Sequence, residues 1–418
     1  MKSKTKKIVI IGAGFGGLRA FYHLVHNEQE FDITIIDKRE KSLEKPSLPE
    51  VAFSGKNVAQ VLIDLKPLIA CQGGTYINDE VIKISPNSNQ IHLNSGAIVD
   101  YDFLIIASGV VKDYNSIEGF EEFGFSMCDD FQAVKLWEKV KDFKSGHIVI
   151  GTAKSTFGNR VKAPKLVAPC EGPIGEAMFI MDYNLRKNNT RDKSTINVFT
   201  PGEVFFEDIG DNVRSKVGTI MAEHNIALSN NKVITKITKK AVEFEDGTSM
   251  PCDLAVVIPP YRALPLFKES KLGDEEGFIP TDKTMKHLDY DNIYAVGDIN
   301  ALAQPKLGHI AIHQADIAIS AIIKKVTGKG EIIKFNPSVF CIMNMGGSEA
   351  TLIYSDDLYH GENDLAFHSP MSKMMKWGFD NYYYYTQGHM PPDFSMKGLE
   401  KFLSLFSKDD DEDIVFND

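Results

Sequence analysis

No apolar run in the 418 residues reaches the ~18 needed to cross a bilayer. The best stretch, Ile8 to Val25, is broken by Arg19 and His23 and is rich in glycine. It is followed by no small-residue cleavage site, so a signal peptide is not expected. Cysteine is scarce: five residues with no C-x-x-C pair, which excludes a disulfide scaffold and argues against a structural zinc site. Cationic blocks are missing beyond Lys2–Lys7, so the electrostatic footprint of a nucleic-acid binder is absent. The net charge is −11, but Asp409, Asp410, Asp411, Glu412, Asp413 and Asp418 supply six of those charges, leaving a mildly acidic body. What is present is ordinary globular composition, 43% hydrophobic and 25% charged. The length suggests two or three domains at roughly 150 residues each.

Lys7 to Ile11 is a β-branched run ending in Gly12-Ala13-Gly14-Phe15-Gly16-Gly17, followed by a helical stretch, Leu18 to His26, and a second strand, Ile33 to Ile36. Asp37 closes that strand. The first glycine permits a tight turn, the second lets a pyrophosphate approach the backbone, and the third packs helix on strand. The helix N-terminus offers unpaired N–H groups to phosphate, and the carboxylate accepts from ribose hydroxyls. A glycine turn alone also fits a purely structural role. Strand, turn, helix and carboxylate together point to a dinucleotide. Tyr101 to Gly109 (YDFLIIASG) and Asn292 to Asp298 (NIYAVGD) resemble the later signatures of flavoproteins with two dinucleotide domains, which favours FAD over NAD at this first site.

A second fingerprint is lacking. His147 to Gly151 is a strand in the right place, but Thr152-Ala153-Lys154-Ser155-Thr156-Phe157 follows, without the second and third glycines. The next strand, Thr195 to Phe199, ends in Thr200-Pro201-Gly202 rather than in an acidic residue. The expectation is a duplicated domain that kept its fold and lost its nucleotide.

Cys170 precedes the helical stretch Ala177 to Leu185, where helix N–H groups are expected to stabilise a thiolate and lower its pKa. Cys341 lies in an apolar stretch of the last quarter, and Cys128 in Phe125-Ser126-Met127-Cys128-Asp129-Asp130. Cys71 and Cys252 read as buried small hydrophobes.

The three remaining cysteines, with C-x-G-P-x-x-E at Cys170 to Glu176, Thr200-Pro201-Gly202-Glu203, Gly277 to Asp282, Pro305-Lys306-Leu307-Gly308 and an aromatic C-terminal block, resemble sulfide:quinone oxidoreductases of the archaeal type nearly end to end. The resemblance implies an α/β fold of two tandem Rossmann-like domains plus a C-terminal quinone and membrane module. Residues 1–113 with 286–331 would bind FAD, 114–285 would form the second domain, and 332–418 the C-terminal region. It implies oxidation of hydrogen sulfide to polysulfide or elemental sulfur through a Cys170–Cys341 redox pair, bridged directly or through extra sulfurs, and reduction of a membrane quinone. Cys128 would lie near the flavin, where some members attach it covalently. Many bacterial relatives carry a histidine soon after this cysteine; here the stretch is Asp129-Asp130-Phe131-Gln132. Glu171 and Glu176 are then candidates for proton transfer, or else carboxylates held by a helix N-terminus.

For FAD the implied residues are Gly12, Gly14, Phe15, Gly16, Asp37, Lys38, Pro46, Val81, Ala107, Ser108, Gly109, Gly297, Asp298, Lys306, Leu307 and Gly308. A helix starting near Gly308 would point at the flavin, with Lys306 adding charge. For quinone they are Phe340, Lys376, Phe379 and Tyr383, although an aromatic core cluster remains the alternative. His309 and His313, four apart, have no evident third ligand, so packing or flavin contacts are expected rather than a metal. Met396, Leu399, Phe402, Leu403 and Phe406 fall at helical spacing, fitting a helix in the membrane interface or one facing a core. A peripheral membrane homo-oligomer on the cytoplasmic face is expected. The rivals are a type II NADH dehydrogenase on the same scaffold and an exported sulfide dehydrogenase paired with a cytochrome.

Overall fold

The computed structural model describes residues 5–27, 31–164 and 166–391. The chain lays down β1 (Lys6–Ile11), β2 (Phe31–Asp37), β3 (Thr75–Asn78) and β4 (Phe103–Ile106). It then builds a second sheet from β5 (Gly124–Phe125), β6 (His147–Thr152), β7 (Thr195–Phe199), β8 (Ile226–Ser229) and β9 (Leu254–Ile258). Finally it returns to the first sheet with β10 (Ile293–Ala295). Both sheets are parallel, in the orders β10-β4-β1-β2-β3 and β5-β9-β6-β7-β8. Parallel strands covered on both faces need continuous apolar side chains, and Ile8, Val9, Ile10 and Ile11 in β1 are all buried. A third, antiparallel sheet of β11 (Val339–Asn344), β12 (Ala350–Ser355) and β13 (Asp364–His368) follows.

Five helices matter for the site: α1 (Phe15–Val25), α2 (Leu48–Ser54), α3 (Gly172–Lys187), α4 (Gly308–Thr327) and α5 (Pro370–Tyr385). α1 begins three residues before the expected Leu18, directly after Gly14, and packs beside α4 with Arg19 gripping Asp316 through two nitrogens at 2.6 and 3.0 Å. α3 starts at Gly172, five residues before the expected Ala177. Pro173 in its first turn lacks an N–H that the helix would leave unpaired there anyway.

The second sheet is Rossmann-like, but its first turn is replaced. None of the described residues in 153–171 is helical. Instead the Ala153 amide donates to the Ile258 carbonyl at 2.9 Å, the Ser155 hydroxyl accepts from the Tyr261 amide at 2.9 Å, and Phe157 is buried. The Phe199 ring lies against Gly151, where an added Cβ would come within 2.4 Å of it. The expected C-terminal helix through Met396, Leu399, Phe402, Leu403 and Phe406, and the acidic tail, lie outside the described residues.

The α1–β1 crossing is set by two glycines. Gly12 has φ +97° and sits under the Ala107 carbonyl, 2.4 Å from where a Cβ would stand; a Cβ on Gly17 would meet the Gly12 carbonyl at 1.9 Å. Gly17→Ala would gain helix propensity but must push two backbones apart. We expect a net loss of about 1–3 kcal/mol, measured as a lowered denaturation midpoint.

Candidate active site

One cavity of about 820 Å³ lies where the C-terminal ends of the first sheet, the start of α3, β11 and α5 converge, within the size range of cofactor and substrate pockets. Its first wall is the glycine turn. Gly14, Phe15 and Gly16 line it, and a Cβ on Gly14 would meet nothing within 4 Å. Backbone there lies open to whatever fills the space. The amides of α1 have no side-chain cap at Gly14, and those of α4 none at Leu307. Both helices therefore leave N–H groups free to meet anionic or electron-rich atoms. Pro46, Ala107, Gly109, Gly297 and Gly308 complete this wall.

Five of the expected cofactor residues stand off the cavity. Gly12 shapes the turn from behind. The Asp37 carboxylate braces it, accepting from the amides of Ala13 at 2.7 Å and Arg39 at 2.8 Å, and burial raises its pKa. Lys38 is exposed and pairs with Glu80 at 3.6 Å. Val81 lies in a small antiparallel sheet away from the cavity. Ser108 likewise is not on the lining, its hydroxyl turned to the Gly109 carbonyl at 3.3 Å.

Charge is concentrated beside Asp298. Burial works against its carboxylate, but Lys45, at 3.7 Å, and Lys112 and Lys306 hold it below the usual range. Lys306 itself lines the cavity, donating to the Asn300 carbonyl at 3.1 Å and sitting 4.6 Å from the Phe278 ring centre. Burial lowers its pKa to about 7, against the pull of Asp298. The full positive charge expected of it is thus reduced. His309 faces the cavity 5.6 Å from Phe340, and burial takes it down to about 4. His313 accepts from the Asn336 amide at 3.2 Å.

The cysteines correct two expectations. Cys128, Cys170 and Cys341 all line this cavity, and Cys170 and Cys341 are separate thiols 171 positions apart in the chain. Cys170 sits just before α3, hydrogen-bonded toward Gly172, yet its pKa is raised rather than lowered: burial dominates, and Asp208 and Cys341 add to it. Burial and Asp208 raise Cys341 in the same way. A helix terminus worth ~1–2 kcal/mol is outweighed by removing the sulfur from water. Burial also raises Cys128, whose sulfur lies 3.9 Å from the Tyr261 hydroxyl. Cys252 is buried as expected, but Cys71, closing a short helix at Leu65–Cys71, is exposed.

Carboxyl groups flank the sulfurs. Glu171 is buried off the cavity, accepting from the Phe206 amide at 2.6 Å while Oε1 has no partner; burial raises it to about 8. Glu176 lines the cavity, accepts from the Asn344 amide at 3.0 Å and is raised to about 7 by burial, with Lys376 opposing. Asp208, which sequence reading missed, is buried with Oδ1 unpartnered and raised to about 6 by burial. Its only sequence signal is its place eight residues beyond the Thr200-Pro201 turn.

α5 forms the far wall. Lys376 and Phe379 reach the cavity, facing Phe340 of β11. Tyr383 does not: it is buried behind them, stacked on Phe15 at 4.6 Å, while Tyr382 is on the lining. Asp380 also lines the cavity, one helical turn from Lys376.

With this geometry in hand, residues 6–153 and 192–315 match the pyridine nucleotide-disulphide oxidoreductase family. The chain belongs to that family. It is 27% identical to a mitochondrial sulfide:quinone oxidoreductase of Dictyostelium discoideum, over 78% of this chain and 72% of that protein. It is 24% identical to the sulfide-quinone reductase of Aquifex aeolicus, over 96% of both. The solved structure of the sulfide:quinone oxidoreductase from that bacterium superimposes with a TM-score of 0.85, covering 96% of each chain at 22% identity. A type II NADH:quinone oxidoreductase of Staphylococcus haemolyticus is 25% identical over 79% of this chain and 85% of that one.

Exposure, not helix position, should set thiol reactivity here. In reduced protein at pH 8, iodoacetamide should modify Cys71 first, with Cys170 and Cys341 at least about tenfold slower. Peptide mass spectrometry over time reads the order; Cys170 leading would contradict the burial argument.

Proposed function

We propose that this protein is an FAD-dependent sulfide:quinone oxidoreductase that works at a membrane surface. The observation that carries the reading is the pair Cys170 and Cys341 on the lining of the same cavity as the open glycine turn. Gly14, Phe15, Gly16, Gly297 and Gly308 would hold FAD along that wall, and the bound flavin would supply two-electron transfer between sulfur and quinone.

The residues do the rest. In the oxidised enzyme Cys170 and Cys341 form a disulfide. Hydrosulfide attacks one sulfur, the S–S bond breaks, and a persulfide and a thiolate remain. Loss of an electron pair and one proton rejoins them as a bridge longer by one sulfur. Asp208 and Glu171, beside the sulfurs, are the groups suited to take that proton, since their raised pKa values lie close to neutral pH. Repetition lengthens the chain until it leaves as polysulfide or sulfur.

At the other end, the rings of Phe340 and Phe379 supply an apolar slot for quinone, with Lys376 and Glu176 its polar contacts. NADH is disfavoured as donor because the loop after β6 is pinned inward where a second glycine turn would stand.

Membrane attachment is supported by α5. Its inward residues Lys376, Phe379, Asp380 and Tyr383 follow helical spacing, whereas Met371, Met374, Trp377 and Tyr385 are 56%, 71%, 68% and 76% exposed. An apolar stripe facing outward beside a quinone cavity suits a helix lying in the lipid interface. No helix among the described residues is long and apolar enough to cross a membrane.

Two experiments test this. Under anaerobic conditions sulfide should bleach the flavin and NADH should not; Cys170→Ser and Cys341→Ser should each slow bleaching at least about a thousandfold, ~4 kcal/mol in barrier. Bleaching by NADH alone would reverse the assignment. Met374→Asp with Trp377→Asp should release the protein from sedimenting liposomes while leaving sulfide bleaching intact.

A further inference from the structure

Beneath the quinone end of the cavity, three carboxyl groups are buried around one ammonium. The Lys376 side chain is 6% exposed, with Nζ 3.7 Å from Glu176 Oε1, 3.7 Å from Asp380 Oδ2 and 2.8 Å from the Pro46 carbonyl. Glu44, 1% exposed, faces the same lysine from the segment before α2. One buried cation cannot compensate three buried anions, so most of these carboxyls hold protons near neutral pH. Burial raises Glu44 to about 8 and Glu176 to about 7, and raises Asp380 as well.

Hydrogen bonding singles out two of the three. Both oxygens of Asp380 and Oε1 of Glu44 are buried without a hydrogen-bond partner, as is the neighbouring Tyr383 hydroxyl. Buried polar atoms are ordinarily satisfied, and an apolar wall would be more stable than this one. Such unsatisfied acids at a cavity wall are where function is expected.

A route to solvent adjoins them. Glu176 Oε1 accepts from the Asn344 amide, and Asn344 Nδ2 donates to Glu50 Oε1 at 3.2 Å. Glu50 meets Lys373 and Lys56, each at 3.3 Å, with all three side chains 22–23% exposed. Burial opposes its charge, but those lysines hold the Glu50 carboxyl below its usual range. Lys56 also donates to the Ser47 hydroxyl at 2.8 Å, and Ser47 faces both Glu44 and Asp380. An ionised carboxylate at the mouth thus leads to protonated ones inside.

We propose that Asp380 and Glu44, gathered about Lys376, are a buried proton store for the electron acceptor reduced in this cavity, refilled from solvent through Glu50 with Lys56 and Lys373. This rests on the reading that the acceptor is a quinone. Reduction of a quinone takes two electrons and two protons. Oxidation of hydrosulfide to sulfur releases two electrons and one proton, so one further proton must come from water in each cycle. The store holds it next to the acceptor. Asp380 borders the cavity, and Glu44 acts through it.

The test isolates the second half-reaction. Enzyme reduced with dithionite is mixed anaerobically with a short-chain ubiquinone analogue, and flavin colour is followed by stopped flow. Asp380→Asn and Glu44→Gln, near-isosteric changes, should slow reoxidation at least about tenfold while sulfide bleaching keeps its rate. The folded-state pKa values are raised, so the store is full at low pH and empties as pH climbs. Wild-type reoxidation should accordingly fall as pH rises through about 8, and it should slow in D₂O; the variants should lose both dependences. Flavin content reports whether each variant folds, and the wild-type pH and isotope profiles stand without them. Variants with unchanged rate, pH profile and isotope effect would overturn the proton store alone. Wild-type enzyme that quinone does not reoxidise would remove the quinone reading, and the store with it.

Discussion

Water is kept from one set of walls, and the protonation of nearly every reactive group follows from that. Burial heads the causes for Cys128, Cys170, Cys341, Glu171, Glu176, Asp208, Glu44 and Asp380, always toward the neutral form. Lys306 and Lys112 move the other way, to about 7 and about 8, for the same reason. The exceptions need company. Asp298 stays ionised only because Lys45, Lys112 and Lys306 surround it, and Lys376 keeps its charge despite burial beside Glu176. Desolvation therefore leaves the thiols protonated and brings Glu171, Glu176, Asp208, Glu44 and the buried lysines toward neutrality, the range in which a side chain can exchange a proton.

That environment is built by backbone geometry. Gly12 and Gly17 let α1 cross β1 within touching distance, which leaves Gly14 open to the cavity. β10 brings Gly297 and Asp298 back beside the turn after the whole second sheet has been made. The cavity is thus a product of long-range return, with Glu176, Lys376 and Glu50 joined across α3, α5 and α2 through Asn344 of β11.

Much of this was legible in the chain. Strand β7 spans the expected Thr195 to Phe199, and the glycine turn and Asp37 are local patterns with local causes. Legibility failed where depth decides. Position before a helix suggested an activated Cys170, but no local pattern states that the sulfur is buried beside Asp208. Cys71 reads as a small interior hydrophobe, the ordinary place of a free cysteine, yet it closes a short helix and is exposed. The aromatic run in α5 hid Asp380, and Glu44 sits in a polar stretch, Lys41 to Lys45, that reads as a surface loop. Its burial comes from contacts hundreds of residues away.

The second unit puts the chain after its first strand to a different use. In the first unit only Gly12 to Gly14 separate β1 from α1, and the helix end meets the strand end directly. In the second, residues 153–171 intervene between β6 and α3. That extra chain turns inward, buries Phe157 within 5.5 Å of Lys306 and anchors Pro169 through its carbonyl to the Lys306 amide at 2.9 Å. The next residue is Cys170. Fixing Pro169 to the segment that leads into α4 sets the sulfur on the wall of the first site's cavity. A glycine turn in that place would run straight into its helix and leave no chain to carry a cysteine there. The missing glycine pattern and the placed thiol therefore go together, since the residues that follow β6 are committed to carrying Cys170 to that wall.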